Sequence, residues 1–187
     1  GVPAASGVRC RCAGRGAADF HRLHPEVDLW LLTTDETPDM ATQTIDIAIR
    51  DDLSAQAECS FKVLHSDRLY PACHPSVLAQ PRELRTTLHG EREMDWNHWA
   101  VAAGVDVGQQ EQGLNFSDPG LLLDAACSGL GIALVSQLLS RQARDNGLLQ
   151  PLVEQTIRGP NWALLTHRDS ENNPLARSFS EWLAENL

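Results

Sequence analysis

The sequence predicts an α/β fold, in which helices cover a largely parallel sheet, and three observations lead there. Short runs of apolar, β-favouring residues alternate with stretches of helical period. These runs gather into two blocks, one ending near residue 50 and one inside residues 71–157. Hydrophobic residues make up 42% of the 187 and charged residues 21%, enough for a core and too little charge for a disordered chain.

The elements follow in order. Ser6 to Gly16 is rich in Gly and Arg and reads as poorly helical; a loop, a disordered stretch and a sequence error all stay open. Ala17, Phe20 and Leu23 then share helical spacing. His24-Pro25 ends that helix, because the residue before a proline is pushed out of the helical region. Val27 to Leu32 reads as a strand, and so does the alternating run Ile45 to Ile49. A short helix around Asp39 to Thr42 is expected between them.

Phe61 to Leu64 and Arg68 to Tyr70 read as separate extended segments, with Pro71 and Pro75 as punctuation. Trp96, Trp99, Ala100 and Ala103 line one face of a helix that Gly104 ends, and Leu114 to Phe116 looks like a short strand. Ser117 or Asp118 suits a helix N-cap, and Pro119 suits a first turn, where its missing N–H costs nothing. Leu122, Ala125, Ala126 and Cys127 bury this helix and Gly129 stops it. Ile132 to Val135 reads as a buried strand. Ser136 caps a helix running to about Asp145, stopped by Asn146-Gly147. Trp162 to Leu165 is a further strand. In the last helix Asn173 caps, Pro174 opens, and Leu175, Phe179, Trp182 and Leu183 form a stripe read as core.

Charge and cysteine content narrow the function. Lys and Arg number 15 against 25 Asp and Glu, a net charge of −10. Such a chain repels a phosphate backbone, so no DNA contact is placed on it. With no leader and no long apolar run, neither secretion nor a membrane is expected. Gly1-Val2-Pro3 reads as the middle of a longer protein. Cys10, Cys12, Cys59, Cys73 and Cys127 are an odd, scattered set, which suggests free thiols in the cytoplasm. Cys10 and Cys12 with His21 and His24 are zinc-type ligands, but the C-x-C spacing is not that of a zinc knuckle, so no metal is expected. No cofactor and no catalytic residue is assigned. Cys73 and His74 are adjacent, and strand neighbours point to opposite faces, a poor geometry for a nucleophile and its base.

Seven segments carry a resemblance: Phe20 to Leu29 with its His24-Pro25 step, Ile45 to Arg50, Tyr70 to Leu78, Trp96 to Trp99 followed by Gly104, Phe116 to Leu134, Leu148 to Leu152, and Phe179 to Leu183. Each alone is a packing pattern. In this order, over residues 17–187, they resemble the effector-binding domain of LysR-type transcriptional regulators, nearest the branch of glycine-cleavage and β-lactamase-inducing regulators. The resemblance implies a periplasmic-binding-protein-like fold. Lobe I would hold residues 1–70 and 161–187 and lobe II residues 71–160, joined by two crossover strands that hinge near Leu69–Ala72 and Arg158–Asn161. It implies a small-molecule effector in the interlobe cleft, a homodimer or homotetramer, DNA contact through an N-terminal winged helix-turn-helix outside this sequence, and RNA polymerase as a further partner. The sequence departs from the pattern at Ser6 to Gly16, at Asp51 to Ser54 where the family has Y-G-x-G-x-W, and at Ser117 to Gly120 where the family is often hydroxyl-rich.

Ligands of open α/β sheets sit at the carboxyl ends of strands, near helix N-termini whose free N–H groups favour anions. This points to Ser6, to Ser117 and Asp118, and to the crossover at Cys73. The resemblance adds Trp162, aligned with an aromatic that lines the cleft, and Asp39, aligned with an acidic position that alters effector response. Plainer readings stand beside each. Ser117 and Asp118 serve as caps in any case, Trp162 and Cys73 suit a core, and Arg50 suits an internal ion pair as well as an anionic effector. The ligand implied is a small polar or anionic metabolite or cell-wall fragment. A solute-binding protein of a transporter is the alternative, and a small enzyme on the same scaffold a third.

Overall fold

The computed structural model describes residues 4–7, 11–32, 45–50, 58–90, 94–105 and 113–186. The chain divides into two units, Gly1–Ser66 with Pro160–Leu187, and Asp67–Gly159.

In the first unit, β1 (Ala4–Gly7) and β2 (Leu29–Leu32) pair in parallel around α1 (Arg11–Leu23), a βαβ turn of chain. The helix is longer than its composition suggests. It starts at Arg11 and runs through Gly14 and Gly16, so the non-helical reading of Ser6 to Gly16 fails for its second half, and Ala4 to Gly7 is strand. The reason is tertiary. Two glycines cost a helix about 2 kcal/mol relative to alanine. Burial of Phe20 (fully enclosed), with Ala17 beside it, returns at least that much. The Phe20 ring meets Phe179 edge-on at 4.9 Å and Trp182 at 5.9 Å, both on α7 (Pro174–Asn186). The Asn173 side chain accepts from the Leu175 N–H at 3.0 Å, the cap foreseen for that helix.

β3 (Ile47–Arg50) pairs antiparallel with β9 (Ile157–His167), Ile47 opposite Thr166 and Arg50 opposite Ala163. The parallel rhythm expected of this block therefore gives way at its third strand. Ile45, Ala48 and Leu165 close a small core against Cys59. The helix expected at Asp39 to Thr42 lies outside the described residues.

Two strands carry the chain between the units, β9 and β4 (Cys59–Cys73). β4 is one continuous strand where two extended segments were read. In the second unit it pairs antiparallel with β7 (Ile132–Ser136) and with β8 (Gln150–Pro151). β5 (Thr87–His89) lies parallel to both β7 and β6 (Gly113–Asn115). The helices α3 (Met94–Ala103) and α4 (Pro119–Cys127) connect these parallel strands in turn, and α5 (Gln137–Asp145) follows β7. Leu88, Ala126, Ala133, Val135 and Leu138 fill the core. Trp96 and Trp99 fix α3 by donating their indole N–H to the carbonyls of Leu88 (3.1 Å) and Gln155 (3.0 Å). α2 (Pro75–Leu78) and α6 (Arg168–Glu171), each four residues, have too few residues for a periodic signal and escaped the sequence reading.

Candidate functional site

Three parallel strands of the second unit end side by side, and the residues that follow them build its candidate site. His89 closes β5, and its carbonyl accepts the Phe116 N–H at 2.8 Å, which holds the end of β6 beside it. Ser117 and Asp118 come next. Ser117 is exposed and Asp118 half-buried. The Asp118 carboxylate accepts the Leu121 N–H at 2.7 Å, and its backbone carbonyl accepts that of Leu122 at 3.0 Å. Asp118, not Ser117, is thus the N-cap of α4. Among the orphan amides of this helix start, Pro119 has no N–H and the Leu121 N–H already meets a carboxylate. The start of α4 is therefore less receptive to an anion than an uncapped helix.

The start of α5 holds a second carboxylate, which sequence reasoning missed. Asp67 is 1% exposed. One carboxylate oxygen accepts the N–H groups of Arg68 (2.8 Å) and Leu138 (3.2 Å), and the other accepts from the Ser136 hydroxyl. Ser136 in turn accepts the Leu139 N–H at 3.0 Å as the cap of α5. No local pattern marks Asp67, because Ser136 and Leu138, the partners that join it to α5, lie about seventy residues away in sequence.

Cys73 is fully enclosed. Burial pushes its thiol pKa up, and the Arg85 charge offsets this in part. His74 is not on the strand, as the argument against a nucleophile pair assumed. It caps α2, its Nδ1 accepting the Ser76 N–H at 3.2 Å, and its own N–H donates to the Ala126 carbonyl at 3.1 Å. That carbonyl belongs to the far end of α4, roughly 12 Å along the helix from Asp118. Ser117 and Asp118 thus sit together, and Cys73 sits apart from them.

The remaining candidates belong to the first unit. Ser6 lies on β1, opposite Leu31, and its side chain lies outside the described residues, as does Asp39 altogether. Trp162 is 4% exposed on β9, beside Ala163, which faces Arg50 across the strand pair. Arg50 is half-buried and already engaged. His21 and His24 are occupied by the chain itself. His21 Nδ1 lies 3.2 Å from the Val27 carbonyl, and the His24 ring stacks on Phe20 at 4.5 Å. Cys10 and the Cys12 side chain lie outside the described residues.

Residues 14–187 match the family described as the LysR substrate binding domain. The chain belongs to this family. Its curated relatives include the glycine cleavage system transcriptional activator homolog of Haemophilus influenzae, 26% identical over 178 residues, 91% of this chain and 59% of the relative. Another is the HTH-type transcriptional activator AmpR of Enterobacter cloacae, 28% identical over 176 residues, 90% of this chain and 60% of the relative. The chain therefore spans about three fifths of their length. Among solved structures, the effector domain of AmpR of Pseudomonas aeruginosa is similar at a TM-score of 0.77 and 23% identity, covering 98% of this chain and 93% of the other. The AmpR effector-binding domain of Citrobacter freundii reaches 0.79 at 21% identity, covering 99% and 98%. The fold is accordingly the periplasmic-binding-protein-like α/β fold of LysR effector domains, two lobes joined by two crossover strands. The LysR substrate binding domain is a binding module, and these relatives are named as transcriptional activators, not enzymes. Among the described residues, no helix is long and apolar enough to cross a membrane.

Proposed function

We infer that this chain is the effector-sensing domain of a LysR-type bacterial transcriptional regulator. The observation that carries the reading is the family match over residues 14–187, with the fold agreeing along nearly the whole chain. The domain senses a small-molecule co-inducer in the interlobe cleft of that fold, and binding shifts the geometry of a cytoplasmic homodimer or homotetramer. DNA is reached through the N-terminal winged helix of the full regulator, and RNA polymerase through the assembled complex. A net charge of −10 supports keeping DNA contact off this domain. Ser117 and Asp118 are the leading effector contacts, since both stand at strand ends and neither is buried. Ser6, Asp39 and Trp162 are proposed from the first unit. Cys73 is retained only as a packing neighbour, given its enclosure. Nothing in the family match favours the transporter alternative.

Thermal-shift screening of the chain against a metabolite library tests the reading. A ligand at a hundred times its Kd stabilises by about 2.7 kcal/mol, a rise of roughly 5–10 °C in Tm for a domain of this size. A hit recovered unchanged after incubation supports a sensor. A hit that the chain converts to product would sink it in favour of an enzyme.

A further inference from the structure

The two strands that carry the chain between the units, β4 and β9, are hydrogen-bonded neighbours in the sheet, and side-chain contacts reinforce them at one level. There the buried Asp67 carboxylate takes the N–H groups of Arg68 and Leu138 and the hydroxyl of Ser136, binding β4 to the start of α5. One residue on, Arg68 Nε donates to Thr156 Oγ1 at 2.6 Å, binding β4 to the segment that leads into β9. Three residues further, Gly159 lies so close to β4 that a Cβ there would meet the Asp67 carbonyl carbon and oxygen at 3.1 Å and Arg68 N at 3.2 Å. These ties fall immediately on the second unit's side of the 66/67 and 159/160 boundaries. On the other side, Ser60, Phe61, Lys62, Val63 and Ser66 are all exposed. A segment with little buried side-chain area is one that opens at low cost.

We propose that Asp67 is the pin that fixes the crossover strand β4 to the start of α5 in the second unit, so that β4 flexes only on the first unit's side of residue 67. The pin is a positioning residue. It is held by geometry, because it accepts from two backbone N–H groups whose direction the strand and the helix set, and because a carboxylate so enclosed has no water to turn to. Under the proposed function, an effector-driven change would then be absorbed in residues 60–66 and not at Leu69–Ala72. The inference rests on that function only for this consequence. The pin is tested without any ligand, so either can fail alone.

The test is amide-resolved hydrogen exchange on the 187-residue chain. In the unchanged protein the amides of Arg68, Leu69 and Tyr70 should exchange at least about tenfold more slowly than those of Lys62, Val63 and Leu64. Asp67→Ala should speed Arg68, Leu138 and Leu139 by at least about tenfold while leaving α7 unchanged. Asp67→Asn keeps one oxygen for both amides and should stay within about threefold of the original. Gly159→Ala, which leaves the carboxylate in place but crowds the strands, should loosen Arg68 and leave α1 and α7 alone. The proposal is overturned by uniform protection through residues 60–70, by an Asp67→Ala protein whose Leu138 amide is as slow as before, or by equal acceleration in β4 and α7. If Asp67→Ala does not fold, the protection step in the unchanged chain and the Gly159→Ala result decide the matter alone.

Discussion

Trp162 shows how burial changes what a substitution can report. At 4% exposure its indole is part of the packing whatever else it touches. Trp162→Ala would remove a large side chain and cost about 3–5 kcal/mol, a large share of a domain's stability. Loss of ligand response in that variant would therefore say nothing about a site. Trp162→Phe keeps most of the buried area and should fold. If Trp162 contacts effector, the Phe variant should keep its denaturant midpoint within about 1 M of the original and lose much of the ligand-induced rise in Tm. Cys73 allows a second test, on pH. Burial raises its thiol pKa in the folded protein above the ordinary value. Below that value both folded and unfolded thiols hold their protons and stability is flat. Above it the unfolded chain releases a proton that the folded chain keeps, so the folded state loses ground as pH rises through the folded pKa. Stability measured by urea unfolding should fall on the alkaline side of about pH 9, and Cys73→Ala should flatten that fall. An unchanged slope in the variant would mean that another group causes it. Tyr70, whose phenol is also pushed up by burial and partly offset by its hydrogen bond to Ser140, acts in the same sense from a higher starting value.

At the scale of the element, legibility followed the range of the interactions. The boundaries of α5 could be read because Ser136, Asn146 and Gly147 act on neighbours three or four residues away. Gly147 adopts φ +71, a conformation glycine takes without strain. α1 could not be read from its glycine-rich start, because what holds it is the Phe20 contact with a helix some 160 residues later. The candidate site divides in the same way. Asp118 was visible as a cap, being local, and Asp67 was invisible, since β4 and α5 come together only in the folded chain. The α4 start also separates capping from binding. Asp118→Ala should lower stability by about 1 kcal/mol through the lost bond to Leu121. Asp118→Asn, which caps as well, should leave stability unchanged within a few tenths of a kcal/mol. Once an effector is in hand, calorimetric titration of the Asn variant would then report the charge alone. Weaker binding would mean that the effector meets Asp118 with a donor or a cation, and tighter binding that it brings an anion. Unchanged affinity would remove Asp118 from the site.

At the scale of the whole molecule, the acidity sets an experiment that the family match does not prejudge. A net charge of −10 is spread over a chain that spans only about three fifths of its curated relatives. A protein that held DNA by cation–phosphate contacts would bind best at low ionic strength, where counterion release is most favourable. At about 10 mM salt the screening length is about 30 Å, and the repulsion between this chain and a duplex is then at its strongest. The 187-residue chain should therefore leave a labelled duplex unretarded at about 10 mM salt, and raising the salt should change nothing. A basic patch strong enough to override the net charge would give the opposite result, a retarded band that disappears as salt is added. That outcome would place DNA contact on this chain itself, and would overturn the proposed division of labour in which this domain reads a small molecule and another part reads the operator.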